Sequence, residues 1–432
     1  MNFLFFGRLA REKGFDLIIE AFSEIIQKTG ELPGNFFIFG EGNLQKPFFE
    51  KFGDSLFLED CSHLTPHEIT EKIEYINNSP RSFGRGVGGE GFENTEQNKI
   101  YFFGWQSQSV IGDVLKISHF TLMPSRFLET FGLSALESLA EGVPVIGFRK
   151  GGLVPFILPE LTIPFGSTDI SNISSLENKI MELVEGYLPD NITENSKEFD
   201  WSLLSQRARH IADNYTEERW MEQVRDMLPK YTKKILLASD YITILGGIET
   251  HVQTIARVLR QHGYEVEIFG WELPKGGWTK LLRLLGLVYS LCNLTSARQI
   301  RKKIREFEPD VVWFHSVSRF LGPLVIREVN KSDIFSLITY HDLGLLSPFP
   351  SRMESEDMIP KKPNLVSFLS VVHFRNPIVY LAVYCKYLQV FITRKLLQKV
   401  NVHIVPSKFL VSHIRDIGEI SAEKIVVLEH FL

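Results

Sequence analysis

Two α/β domains, each built on a parallel sheet covered by helices on both faces, are predicted from three observations. Short apolar runs alternate with amphipathic ones, the pattern of strands joined by crossover helices. The alternation runs from Asn2 to Met227 and begins again at Lys234. The 432 residues are enough for two full cores. In the first half the strands are expected at Asn2–Phe6, Asn35–Phe39, Ile100–Phe103, Phe120–Met123 and Val143–Gly147. Between and after them come helices at Gly14–Thr29, Val110–Ser118, Leu133–Glu141, Ile173–Glu185, Trp201–Tyr215 and Thr216–Met227. In the second half Lys234–Ala238 opens a sheet, followed by a glycine loop and the helix Val252–Gln261. Further strands are read at Gly263–Phe269, Pro309–His315, Leu337–His341, Val402–Ser407 and Glu423–Val427. Ligands of such sheets are expected at the carboxyl ends of the strands.

Two segments break the alternation. Residues 80–98 hold Gly84, Gly86, Gly88, Gly89 and Gly91 among polar residues. No lysine follows in the spacing of a phosphate loop, so a surface loop is expected. The other segment, 348–400, is too long for a simple connection. Its apolar runs are punctuated by Lys361, Lys362, Arg375, Lys386, Arg394, Lys395 and Lys399. No run reaches the ~18 residues of a spanning helix. Two readings stand: helices packing on the domain's own sheet, or an interfacial helix leaning on anionic lipid.

Composition narrows the class. A hydrophobic content of 44% and a charged content of 23% are those of a soluble globular protein. Cys61, Cys292 and Cys385 are widely separated, without CxxC, so neither a disulfide framework nor a zinc site is suggested by them. That cysteine usage fits a reducing cytosol. Met1 runs directly into a strand, and no signal peptide is expected. The net charge of −5 is uneven: residues 1–232 carry 21 basic and 34 acidic groups, residues 233–432 carry 26 and 18. The overall sign argues against nucleic acid as the main partner. The basic second half either carries scattered solvated lysines or attracts an anionic surface.

The segment Glu129–Glu137 carries the most chemistry. It places two carboxylates eight residues apart around a Phe131–Gly132 step and an apolar run. Glu129 is expected in a loop. A helix beginning near Phe131 and Gly132 would present unpaired N–H groups to the crevice, which favours phosphate. Glu137, in the second turn, could accept two hydrogen bonds from a ribose diol. One carboxylate near a sugar, amides on a phosphate and one carboxylate on a ribose describe a nucleotide-sugar site.

This stretch resembles the donor motif of the GT-B glycosyltransferases, in the large retaining family often called family 4. The resemblance continues at Phe6-Gly7-Arg8-Leu9 with Lys13-Gly14, at Phe39-Gly40-Glu41-Gly42, at Phe103-Gly104-Trp105 and at Gly151-Gly152. These pieces occur in the family's order across residues 1–228. After Gly151-Gly152 the family usually places a glutamate where this chain has Pro155. The family's N-terminal pattern follows rather than precedes: Lys234–Ala238, then Gly246-Gly247-Ile248-Glu249-Thr250-His251. The resemblance therefore implies a GT-B enzyme with its halves exchanged, a circular permutant. It implies two Rossmann-like domains facing a central cleft, with the donor domain at 1–229 and the acceptor domain at 230–432.

The resemblance also assigns roles. Arg8 and Lys13 would lie on the donor diphosphate, a planar fork and a movable point charge. Glu129 would lie beside the transferred sugar, with the amides of Phe131, Gly132 and Leu133 near sugar and diphosphate. Glu137 would hold the ribose. Gly246 and Gly247 would allow the close backbone approach of a loop over the diphosphate and acceptor. His341 resembles the family's active-site histidine, and Glu249 is a candidate acceptor contact. His251, His262 and His315 are read as structural or supporting. No Asp-x-Asp occurs in the chain, so no metal and no cofactor is implied beside the nucleotide-sugar. The expected activity is transfer, with retention of configuration, to a glycan or lipid-linked acceptor. It would proceed in the cytoplasm, either free or at the inner face of the membrane. A GT-B epimerase or phosphorylase, and a catalytically silent binding protein, are the alternatives.

Overall fold

The structure is a computed structural model that describes residues 1–78, 97–187, 200–243, 247–272, 291, 293–318, 320–345 and 377–432. They form two compact units, Met1–Asn214 with Leu432 and Tyr215–Phe431.

The first unit holds β1 (Asn2–Phe6), β2 (Asn35–Phe39), β3 (Leu58–Asp60), β4 (Ile100–Gly104), β5 (Phe120–Met123) and β6 (Val145–Gly147). Their order is β3-β4-β2-β1-β5-β6, and every pairing is parallel. Every residue of β1, β2 and β4 is buried, as a sheet covered on both faces requires. Phenylalanine fills both layers. Phe39 stacks on Phe103 at 4.7 Å on one face, and Phe22 of the first helix stacks on Phe36 at 4.5 Å on the other.

Three elements were not anticipated: β3 and the helices Gln45–Phe52 and Pro66–Asn78. The second helix was legible. Ile69, Ile73 and Ile76 repeat at helical spacing and are buried. A capping box precedes them, with the Thr65 amide donating to Glu68 Oε2 at 2.7 Å and the Glu68 amide to Thr65 Oγ1 at 3.4 Å. The three-residue β3 sits at the sheet edge, partly exposed, and is too short to show a period. Most of the glycine-rich insert, residues 80–96, lies outside the described residues.

The second unit repeats the design with β7 (Lys234–Tyr241), β8 (Glu265–Trp271), β9 (Val311–Ser316), β10 (Phe335–Thr339), β11 (Val402–Val405) and β12 (Ile425–Val427). Their order is β12-β11-β10-β9-β7-β8, again all parallel. The two expected parallel-sheet domains are therefore both present.

The helix Glu217–Met227 belongs to this second unit. Its apolar stripe of Trp220, Met221 and Val224 is buried in the same core as Trp313, Leu237 and Ile404. The Trp220 ring stacks on Trp313 at 6.1 Å and meets Phe431 at 4.7 Å. Thr216 caps its start by accepting from the Arg219 amide.

In the expected segment 348–400, residues 348–376 lie outside the described residues. The rest forms the helix Pro377–Leu397. Its inner side is anchored: Gln389 Nε2 donates to the Ser318 carbonyl at 2.8 Å, and Val390 and Leu397 are buried. Tyr384, Phe391 and Ile392 are exposed on it, beside Lys395, whose ammonium lies 5.0 Å from the Phe391 ring centre. Among the described residues no helix is long and apolar enough to cross a membrane.

Each sheet reverses its winding at one place, between β1 and β5 in the first unit and between β7 and β9 in the second. The loops leaving such a pair of strands diverge over the carboxyl edge and leave a crevice there. Arg8, Lys13 and Glu129 follow β1 and β5, Gly247 and Glu249 follow β7, and His341 follows β10.

Candidate functional site

In the first unit the loop after β1 carries Arg8 and Lys13, and the loop after β5 carries Ser125 and Glu129. Lys13 Nζ lies 2.6 Å from Glu129 Oε1, and Ser125 Oγ donates to the same oxygen at 2.9 Å. The pair is well covered, with 25% of the Lys13 side chain and 9% of the Glu129 side chain exposed. The Lys13 ammonium also lies 4.9 Å from the Phe127 ring centre. The two loops are tied by the Glu12 carbonyl, which accepts from the Arg126 amide at 2.9 Å. Arg126, itself buried, bonds Asp16 at 2.5 Å and also Asp169. Arg8 does not join this network. It is exposed and pairs with Glu12 at 3.4 Å.

The helix Leu133–Ala140 starts from Gly132, whose φ of 109° is left-handed. A Cβ there would lie 2.5 Å from Leu153 Cδ2. The first intrahelical bonds are made by the Ala135 and Leu136 amides to the Gly132 carbonyl. The amides of Leu133 and Ser134 thus precede the ladder, at the helix end where anions bind. Phe131 turns its ring inward against Phe156 at 5.0 Å, so only its backbone is placed to meet a ligand.

Glu137 is half-buried, and Gln108 Nε2 donates to its Oε1 at 2.8 Å. Burial pushes its carboxyl up to about 7, against the opposing pull of the Gln108 bond. Gly151 and Gly152 pack beneath the Glu129 loop, where the Gly152 amide donates to the Glu129 carbonyl at 2.6 Å. A Cβ on Gly152 would lie 2.6 Å from the Phe131 backbone. Gly152→Ala is therefore expected to push this loop outward and cost about 1–3 kcal/mol of stability, with a loss of donor binding. Thermal melts and nucleotide titration of the variant check it; unchanged values in both would refute this packing role.

In the second unit Asp240, at the end of β7, binds the loop after β9. It accepts from Ser316 Oγ at 2.9 Å and from the Phe320 and Leu321 amides at 2.8 Å each. Gly246 lies outside the described residues. Gly247 opens the helix Gly247–Gln261, and among the described residues nothing stands within 4 Å of where its Cβ would be. Glu249 is buried in the first turn.

His341, two residues past β10, is part of a larger group. Its Nε2 lies 3.1 Å from His315 Nδ1 at the end of β9. His251 lies on the helix after β7, its ring 5.3 Å from that of His341 and 4.0 Å from that of His430 beyond β12. Burial holds all four well below the ordinary imidazole range; His251 falls to about 4, and neighbouring histidines lower His315, His341 and His430 further. At neutral pH the group presents uncharged imidazoles. Sequence reasoning left His251 and His315 as supporting residues and did not consider His430. His262 lies apart, bonded to the Val258 carbonyl of its own helix. Ser125, Gln108 and Arg126 were also missed; among them only Ser125, directly after an expected strand, carried a signal.

Known proteins resemble both units. Residues 93–199 match the family model for Glycosyl transferases group 1, and residues 245–431 that for Glycosyltransferase Family 4. Mannosylfructose-phosphate synthase of Agrobacterium fabrum is 23% identical over 147 residues, 34% of this chain and 25% of that protein. The uncharacterized glycosyltransferase MJ1178 of Methanocaldococcus jannaschii is 24% identical over 219 residues, 50% of this chain and 48% of that protein. The chain thus spans less than half the length of either relative. Among solved structures, the pneumococcal O-GlcNAc transferase GtfA in complex with UDP and GlcNAc is 19% identical, with a TM-score of 0.31 over 52% of this chain and 35% of that one. Along the chain the stretch that matches the group 1 model thus precedes the stretch that matches the family 4 model.

Proposed function

We propose that this protein transfers a sugar, with retention of configuration, from a nucleotide-diphospho-sugar to a glycan or lipid-linked acceptor. The observation that carries this reading is the Lys13–Glu129–Ser125 contact at the winding reversal of the first sheet. Both bonds to the carboxylate fall on Oε1. Oε2 is then the oxygen to accept from a sugar hydroxyl, while the ammonium turns to a diphosphate once one arrives. The Leu133 and Ser134 amides supply further donors, and Arg8 is long and exposed enough to close over the phosphates. Glu137 accepts from the ribose. In this reading cations and amides offset the leaving charge, so transfer continues with a chelator present. Gly246 and Gly247 are assigned to a loop over the diphosphate and acceptor, Glu249 to an acceptor contact and His341 to the catalytic histidine.

A panel of nucleotide-sugars, scored for nucleotide release with and without acceptor, tests the reading. Acceptor-dependent release is expected. Release of an altered sugar nucleotide would favour an epimerase, phosphate-dependent release a phosphorylase, and binding without turnover a silent protein.

The group 1 match precedes the family 4 match, which supports an exchange of halves. If the two units of one chain work together, a mixture of Glu137→Ala and His341→Ala proteins stays inactive. Recovery toward a quarter of wild-type activity on mixing would show that units of different chains cooperate, and would overturn the permutant reading.

For the acceptor, the exposed Tyr384, Phe391 and Ile392 beside Lys395 support contact with a membrane surface. Flotation with anionic vesicles, weakened by salt, is the expected result. Absence of binding leaves a soluble acceptor as the better reading.

A further inference from the structure

We propose that His251, His341 and His430 form a binding site for a divalent transition-metal ion, Zn²⁺ by preference, with His315 as the residue that orients His341. The three histidines each offer a ring nitrogen, and these atoms all lie within 4.8 Å of one another. A tetrahedral ion with Zn–N bonds of about 2.0–2.1 Å holds its nitrogens roughly 3.4 Å apart. Small side-chain rotations close that difference. The three come from separate elements, the helix after β7, the turn after β10 and the segment beyond β12. The sheet therefore brings them together; they are not neighbours in sequence.

The second partner of a ligating imidazole fixes its tautomer. The contact between His341 Nε2 and His315 Nδ1, 3.1 Å long, holds the orientation of the His341 ring. Three neutral nitrogens suit Zn²⁺ and its neighbours in the first transition row. Mg²⁺ and Ca²⁺ demand oxygen ligands and are poorly served by this trio. Three protein ligands leave one coordination place, which water can fill. The inference rests on the histidine geometry alone and not on the glycosyltransferase reading. The sequence expectation of no metal followed from missing carboxylate pairs, which bear on a diphosphate-bound ion and not on imidazole.

The test is calorimetric titration of the full chain, stripped with chelator, with ZnCl₂ and separately with MgCl₂. One Zn²⁺ per chain is expected, with no Mg²⁺ at this site. His430→Gln should weaken Zn²⁺ binding by about 100-fold or more, and His315→Ala by about 10–100-fold, as losses of a ligand and of an orienting partner do. His413→Gln, on the helix Phe409–Gly418 and outside the group, should bind as the wild type does. Absence of stoichiometric Zn²⁺ binding, or wild-type affinity in His430→Gln, overturns the proposal. If His430→Gln fails to fold by circular dichroism, Co²⁺ bound to the wild-type chain decides. Intense visible ligand-field bands mark a four-coordinate nitrogen site, and the weak bands of a six-coordinate surface ion refute it.

Discussion

Replacing Lys13 by alanine is expected to lower turnover by about 10²–10³-fold while changing donor affinity much less. The leaving nucleotide gains charge in the transition state, so a positioned cation is worth more there than in the ground state. The structure adds a second consequence. The Glu129 carboxylate, on a residue 7% exposed, would lose its cation and keep the Ser125 hydroxyl, a loss of about 1–3 kcal/mol in stability. The double variant Lys13→Ala with Glu129→Gln should recover that stability without recovering turnover. Single-turnover kinetics with calorimetric donor binding, alongside thermal melts, separates the two effects. Turnover within a few-fold of wild type in Lys13→Ala would remove this residue from the chemistry. Arg8→Ala is expected to be milder, since Arg8 is exposed and outside the buried pair.

The Glu137→Gln variant should bind nucleotide about 1.5–3 kcal/mol more weakly at pH 8, the range for a hydrogen bond to a charged group. Because burial holds the wild-type carboxyl at about 7, its nucleotide affinity should climb as pH rises through that value. The variant should show no such climb. Stability moves the opposite way. The folded carboxyl titrates at about 7 and the unfolded one near the model-compound value of 4.5. Between those values the folded chain holds a proton that the unfolded chain has released, so stability falls as pH rises from 4.5 to 7. Above that window the wild-type fold carries the full cost of the buried charge, about 1–3 kcal/mol allowing for partial exposure. Glu137→Gln should therefore melt higher than wild type at pH 8 and nearly the same at pH 4. Equal melting temperatures at both pH values, or pH-independent wild-type affinity, would contradict the assignment. With the expected results, the carboxylate is one that stability alone disfavours and ligand binding requires.

Much of the fold was legible because a parallel sheet writes itself plainly. Strands such as Asn2–Phe6 and Asn35–Phe39 are buried on both faces, so each is a short unbroken apolar run with observed ends equal to the expected ones. The helix Leu133–Ala140 was legible from the glycine that starts it. Edges were harder. Leu58–Asp60 buries too little to leave a period, and the helix Gln45–Phe52 buries only Phe48 and Phe52. In the site, Lys13, Glu129 and His341 in loops after strands, and Glu137 on a helix, were named from motifs that resemble those of a known family. What sequence could not show was who touches whom. Lys13 and Glu129 are 116 residues apart, and their contact arises only because β1 and β5 lie side by side. His251 and His430 come together through the tertiary fold, across most of the second unit, so a reading along the chain gave them no shared meaning.

The helix Glu217–Met227 has a consequence for how this protein can be cut and how it could have been assembled. The strand pattern restarts at Lys234, which invites a division at 229/230, yet Trp220 already walls the core in which Trp313 lies. The seam between the two compact units is at Asn214 and Tyr215. A second unit produced from Tyr215 keeps its wall. One produced from Lys230 bares the ring of Trp313 and the flank of Phe431 to water. A second unit made as a working piece therefore needs residues 215–229, although by pattern they read as the tail of the first.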